Sequence, residues 1–272
     1  MKYKTSIVAA MTAVMLSQAA YSQDFEVSPC NLNFNALPGT LQSREIVITN
    51  HSSNAAMFQV RLEDYDIDED GNRHVRQRGS VPYSCNNWVS VSPTLLGIDP
   101  NSQGVVVVTM SVPNEARESR WGQLVVSESH ERTSLFADNS NGAGVILSPE
   151  IVVDLVQTPN GFSDSRAALS SFVELEPMED GTRIFNVTVT NQGHGIVSGQ
   201  LYVVAANLQH LLESEIMKRQ VRVLPGSSLK LRLALEPGLL PNGEYDFTCL
   251  FDMGPLLPLK GVRFKENVII NR

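Results

Sequence analysis

The sequence predicts an all-β chain of two tandem immunoglobulin-like Greek-key β-sandwich domains, and three observations carry that prediction. Short runs of β-branched and aliphatic residues recur along the chain, punctuated by the turn formers Gly, Pro, Asn and Asp. Within the runs apolar and polar residues alternate, as in Phe58, Val60 and Leu62 against Gln59 and Arg61, the period of a strand with one buried and one wet face. Helical periodicity is scarce.

In the first region the strand runs are Phe25–Val27, Leu32–Phe34, Glu45–Thr49, Ala56–Leu62, Trp88–Val91, Gly104–Val112, Trp121–Ser127 and Gly144–Val156. Turn formers such as Pro38-Gly39 and Asp70-Gly71 separate them, the spacing of a Greek-key sandwich. A turn-rich segment from Gln157 to Ser165 then leads to a second set: Phe172–Leu175, Arg183–Thr190, Gly199–Ala205, Gln220–Leu224, Ser228–Leu235, Gly243–Phe251 and Lys260–Phe264. Its alternation is cleaner, with Leu229, Leu231, Leu233 and Leu235 set against Lys230, Arg232 and Ala234. The predicted domains are therefore 24–157 and 158–272.

Ile46-Val-Ile-Thr-Asn50 and Val187-Thr-Val-Thr-Asn191 each end a strand on an asparagine able to close an Asx-type turn. Related folds in tandem and the reuse of common turns both remain open readings. One segment departs from strand chemistry: Leu208, Leu211, Leu212 and Ile216 suit a short amphipathic helix over Asn207–Lys218. A mostly polar connection, His130–Gly144, precedes the last run of the first region.

Residues 1–23 carry Lys2 and Lys4, an apolar stretch from Ile7 to Leu16 and the small-residue ending Ala20-Tyr-Ser22. That is the pattern of a cleavable secretory signal, and it places the mature chain outside the cytoplasm. The apolar stretch falls short of the roughly 20 residues a spanning helix needs, so no membrane span is expected. The hydrophobic fraction of 42% and charged fraction of 18% fit a globular chain. A net charge of −8 argues against nucleic acid and anionic membrane surfaces as partners and leaves protein.

An exported chain meets oxidising conditions, which bears on Cys30, Cys85 and Cys249. Cys30 and Cys85 fall in one predicted domain and are the candidate disulfide; bridged and free states both stay open. Cys249 lies in Tyr245–Phe251, which reads as a buried strand with an inert core thiol. Asp66-Ile-Asp-Glu-Asp-Gly71 imitates the opening of a calcium loop, but Gln77 stands where the bidentate acid belongs, so a solvated hairpin turn is the better reading. Arg73, Arg76 and Arg78 are placed to pair with its acids. The five histidines lack metal-site spacing, and His194, between glycines, reads as a loop residue. No nucleophile elbow, phosphate-binding glycine loop or zinc-protease motif is present, so neither an enzyme nor a cofactor is expected.

Phe25-Glu-Val-Ser-Pro29 followed by Leu32-Asn-Phe34, Ile46–Asn50, Gly79-Ser-Val-Pro82, Trp88–Pro93, Ile98-Asp-Pro100 before a Val-rich strand, and Ala116-Arg-Glu-Ser119 before Trp121 together make a pattern. It resembles the periplasmic chaperones of pilus and fimbria assembly, two-domain proteins of immunoglobulin-like sandwiches. The resemblance implies that an edge strand pairs with an incomplete client sandwich through main-chain hydrogen bonds, while alternate side chains fill client pockets. The matching segment is Ala143–Val156, and its client-facing residues would be Val145, Leu147, Ile151, Val153 and Leu155, with Pro149 interrupting it. An ordinary last strand of a sandwich is the competing reading.

The family also grips a client's C-terminal carboxylate with two basic anchors. Asn31 and Asp154 occupy the matching positions here, so that grip is not expected. The implied function is a periplasmic chaperone-like protein binding secreted or surface-assembled polypeptides through an edge strand or the interdomain cleft. A structural or adaptor component of an envelope assembly or secretion machine is the alternative.

Overall fold

The computed structural model describes residues 24–129, 149–161, 164–210, 212–254 and 264–270. The first half of the chain forms β1 (Phe25–Ser28), β2 (Asn31–Phe34), β3 (Leu41–Asn50), β4 (Ala56–Ile67), β5 (Arg73–Arg76), β6 (Val89–Ser92), β7 (Leu95–Ile98), β8 (Gln103–Ser111), β9 (Arg120–Glu128) and β10 (Glu150–Gln157). These make two sheets in the orders β1-β3-β8-β6 and β2-β10-β9-β4-β5, with β7 paired to the start of β4. Consecutive β3 and β4, and again β8 and β9, lie in opposite sheets, which is the Greek-key crossing of an immunoglobulin-like sandwich. Phe25, Ile46, Ile48, Phe58, Val106, Met110 and Leu124 interdigitate between the sheets in the positions their alternation requires.

The second half forms β11 (Ala167–Glu174), β12 (Arg183–Asn191), β13 (Val197–Asn207), β14 (Glu213–Val223), β15 (Ser228–Leu235), β16 (Gly243–Asp252) and β17 (Phe264–Ile270). The sheets are β11-β12-β15 and β14-β13-β16-β17, packed over Phe185, Val187, Leu201, Val203, Leu231, Leu233, Phe247 and Phe251. The two tandem sandwiches expected from the alternation are thus present.

The structure corrects several local expectations. The helix over Asn207–Lys218 does not form: the chain turns after β13 and returns antiparallel as β14. Asn207 closes that turn, its Oδ1 accepting from the N–H groups of Gln209 and His210, both at 2.9 Å. Leu208 and Leu212 are exposed, Ile216 packs against the core from within β14, and Leu211 lies outside the described residues. The Pro93–Pro100 stretch contains β7, and the Asp70-Gly71 hairpin extends into β5, with Gly71 at φ 88° as the turn requires. Pro149 directly precedes β10 and so costs no ladder hydrogen bond.

Asn50 and Asn191 turn equivalent corners in the two sandwiches. Asn50 Oδ1 accepts the Ser52 N–H at 3.0 Å, and Nδ2 donates to the carbonyls of Asn54 at 2.8 Å and Ile98 at 3.1 Å. Asn191 Oδ1 accepts the Gly193 N–H at 2.9 Å, and Nδ2 donates to the carbonyls of Gly195 at 2.8 Å and Val223 at 3.0 Å. The same offsets of two and four residues recur in both, and each Nδ2 also reaches the chain leading toward the strand that pairs with it, at Ile98 and Asp99 for Asn50 and at Val223 for Asn191. Both amides are buried, so each bond replaces water that cannot reach the site.

The sandwiches meet on a small apolar joint. Tyr65, Ile67, Val81, Tyr83 and Trp121 from the first pack with Ile196 and Leu224 from the second. Trp121 stacks on Tyr83 with ring centroids 5.6 Å apart and donates its indole N–H to the Tyr65 carbonyl at 3.0 Å. His194 is exposed, and its carbonyl accepts the Ser119 N–H at 2.9 Å across the joint. A Cβ on Gly193 would sit 2.0 Å from the Asp164 carbonyl, so only glycine lets the connecting segment lie this close.

Replacing Asn50 or Asn191 by Ala strands several buried backbone groups at once. Each substitution is expected to lower unfolding free energy by about 1–3 kcal/mol in urea titrations, with strand content unchanged by circular dichroism. A loss near zero would show that the corners do not hold the sandwiches together.

Candidate functional site

The candidate site follows from how the first strand divides between sheets. β1 pairs with β3 in one sheet; the chain then crosses, and β2 pairs in parallel with β10 in the other. That parallel pairing begins at Asp154, whose N–H donates to the Cys30 carbonyl at 2.9 Å. The first half of β10, Glu150–Val153, is bonded to β9 on one side and to no described strand on the other. Backbone groups two residues apart along a strand point the same way, so Val152 and Glu150 turn theirs toward this open side, as Asp154 does.

A groove of about 590 Å³ lies along that open side, lined by Phe25, Val27, Cys30, Ile151 and Val152 with Glu26, His51 and Glu150 at its rim. Val152 is 39% exposed, so its side chain is available at the groove. Glu150 is held in place by Arg61, whose guanidinium reaches it at 2.7 Å while also bonding Glu63 at 2.8 Å. Partial burial works against that charge, but the hydrogen bonds the guanidinium donates to Glu150 and Glu63, together with their charges, outweigh it and raise the Arg61 pKa.

The residues expected to face a client divide. Val153 and Leu155 are fully buried and belong to the core of their own sandwich, where each contributes about 1.5–3 kcal/mol that a client would have to displace. They are therefore not client-facing. Ile151 is partly buried at the end of the same face, beside the groove. Val145 and Leu147 lie outside the described residues. Val152, on the opposite parity, was missed; the signal that finds it is its register with Asp154, which only pairing with β2 reveals.

Asn31 and Asp154, taken as the positions of the two anchors, are direct neighbours across β2 and β10. Asp154 is paired with Arg73 at 2.8 Å and lies 3.8 Å from Arg222 of the second sandwich. Arg73 also covers the Tyr65 ring, 3.9 Å from its centroid, and donates to Gln123 at 3.1 Å. Burial first, and the Asp154 charge second, push the Tyr65 phenol up. Of the other arginines, Arg76 pairs with Asp66 across the hairpin, whereas Arg78 donates to the Asn86 carbonyl instead. Within that hairpin Asp68 is held low chiefly by His74, then by Asn72, so its carboxylate is satisfied by the turn.

The candidate disulfide is not formed: all three cysteines are free. Cys30 is exposed at the crossing of the first strand, its thiol donating to the Val27 carbonyl, whereas Cys85 is buried beside Trp121, whose carbonyl accepts its N–H at 2.9 Å. Burial pushes the thiols of Cys85 and Cys249 up to about 12. Among the described residues no helix is long and apolar enough to cross a membrane.

No protein-family model and no curated protein matches the chain. Among solved structures it is similar to the class 5 fimbriae chaperone CfaA, at 8% identity over 91% of this chain and 100% of that one, with a TM-score of 0.49. It is also similar to a chain of the chaperone–tip adhesin complex of CFA/I fimbriae biogenesis, at 9% identity over 89% and 97% with a TM-score of 0.49. A third is a chain of the CsuC–CsuE chaperone–tip adhesion subunit complex from Csu pili of Acinetobacter baumannii, at 13% identity over 76% and 89% with a TM-score of 0.44. Pilus and fimbrial chaperones are the family that the sequence motifs resemble; at these identities the likeness is one of fold.

Thiol accessibility checks the groove directly. At pH 8 a thiol of pKa about 12 is thiolate on the order of 10⁻⁴ of the time, so Ellman's reagent should react with Cys30 alone in the native protein and with all three cysteines in guanidinium. No reactive thiol in the native state and a single one after unfolding would mean that Cys30 and Cys85 are bridged.

Proposed function

We propose that this protein is a periplasmic chaperone-like protein, exported by its N-terminal signal, that takes an extended segment of a secreted or surface-assembled polypeptide along the free half of β10. The observation that carries the reading is the edge of Glu150–Val153, unpaired among the described strands, beside a groove of mixed polarity. An edge whose backbone is unpaired accepts another strand, and its main-chain bonds supply affinity for sequences that differ in detail. Ile151 and Val152 offer apolar contact for one side of such a strand, over the buried floor of Phe25 and Val27, and Glu26, His51 and Glu150 border it with polar groups. The motif resemblance supports the same reading. Its departure at Asn31 and Asp154 argues that the client is held by strand pairing and groove contact, without a carboxylate grip between those two positions.

The test exploits the direction of one N–H group. Val152 points its N–H outward, so Val152→Pro removes a rung offered to a client while sparing the ladder to β9. The variant is expected to keep its urea midpoint and circular dichroism, yet to lose polypeptides that co-purify with the wild type from envelope extracts. Partners retained in full by a folded Val152→Pro variant would sink the edge mechanism. Partners in fixed stoichiometry that never exchange with added competitor would favour an adaptor role instead.

A further inference from the structure

The chain carries a net charge of −8, yet one flank of its second sandwich is basic. β14 and β15 are edge strands of opposing sheets, and between them they place Arg219, Arg222, Lys230 and Arg232 around a cleft of about 470 Å³. Asp70 and Gly71, at the tip of the β4–β5 hairpin of the first sandwich, border it. All four cationic residues are exposed. Lys230 pairs with Glu69, and Arg222 lies 3.8 Å from Asp154; Arg219 and Arg232 have no ion pair among the described residues. Like charges gathered on one wall make a local positive potential that an acidic ligand relieves.

The backbone supplies a second, independent feature. The Lys230 N–H donates to the Glu69 carbonyl at 2.6 Å, a main-chain bond between the outer rim of β15 and a segment that is not part of its sheet. The Glu69 carboxylate meets the Lys230 ammonium as well, and this raises the Lys230 pKa through the hydrogen bond and then the charge. Glu69 thereby displays, within the chain, how this rim receives an acidic residue: main chain to main chain and carboxylate to ammonium. Backbone groups at Arg232 point the same way as those at Lys230, so the neighbouring rung carries the same offer beside an uncompensated guanidinium.

We propose that this cleft is a second polypeptide-binding site, taking an extended acidic segment of a partner protein along the outer edge of β15 beyond Glu69. Its carboxylates lie among Arg232, Arg219 and Arg222. Because side chains two apart share a face, the favoured segment carries Asp or Glu at alternate positions. The site lies on the second sandwich and is independent of the β10 edge.

A fluorescein-labelled octapeptide of alternating Glu and Val, titrated with the full mature chain by fluorescence anisotropy, tests the proposal against a Lys–Val peptide of the same length. The acidic peptide should bind at about 0.02 M salt, weaken strongly toward about 0.5 M, and outcompete the basic one. R219E/R232E should weaken it about tenfold or more, and R219Q/R232Q by a smaller factor, while Val152→Pro leaves it unchanged. Equal binding of both peptides, binding that survives R219E/R232E, or loss with Val152→Pro would each overturn the site. So would an acidic peptide that fails to bind while vesicles of anionic phospholipid bind through the same two arginines. Failure here leaves the β10 edge untouched, because its own test reads envelope partners of the Val152→Pro variant.

Discussion

A single backbone bond, from the Asp154 N–H to the Cys30 carbonyl, marks where the first strand has finished crossing from one sheet to the other. Before that point the chain belongs to β3; after it, to β10. Had the strand stayed in the β3 sheet, β10 would be open along its whole length, and had it crossed earlier, β10 would be covered throughout. The crossing instead covers the backbone edge of Asp154–Gln157 and leaves that of Glu150–Val153 without a partner among the described strands, which creates the groove and sets its length. Core packing reinforces the division: Val153 and Leu155 fill the interior, while Ile151 sits at its border. An edge can remain open here because the covered half holds the strand in place.

The second sandwich bears on the first through modest contacts with distinct chemistry. The apolar joint around Trp121, Tyr65 and Leu224 is small, and charged groups flank it: Arg73 and Arg222 at Asp154, and Lys230 at Glu69. Partly exposed pairs of this kind contribute little to stability, about 0–1 kcal/mol each, so their value lies in orientation and in the potential they set. Asp154 draws one arginine from each sandwich toward the middle of the molecule. Beyond the hairpin tip Arg219 and Arg232 continue the basic wall with no ion pair among the described residues, which separates the satisfied joint from the proposed cleft for an acidic segment.

Much of the architecture was legible because alternation is a local property. Leu229, Leu231, Leu233 and Leu235 alternate with Lys230, Arg232 and the small Ala234, and three of the leucines are buried in the sandwich as that pattern demands. The asparagine corners were legible too, since Asn50 and Asn191 ended runs of the same shape. Asn207 used the same chemistry, but the leucines after it suggested a helix; pairing with β13 decided the outcome by satisfying the backbone of β14. The candidate site was legible only in part. Alternation named Ile151, Val153 and Leu155 as one face without telling which of them the protein keeps for its own core. The cysteine pairing failed because two thiols in one domain need not approach: one is at an exposed crossing and the other inside.

By itself the sequence determined the class of structure: two strand-rich sandwiches, their turns and the face each strand buries, all consequences of periodicity and turn chemistry within a few residues. Only the tertiary structure decided which edges stay open. Val152 gains its role from the register of β2 with Asp154, far away in the chain. Arg219 and Arg232 become neighbours because β14 and β15 end opposing sheets on one flank. An edge is defined by the strand that is absent beside it, and no local pattern records which distant segment will pair there.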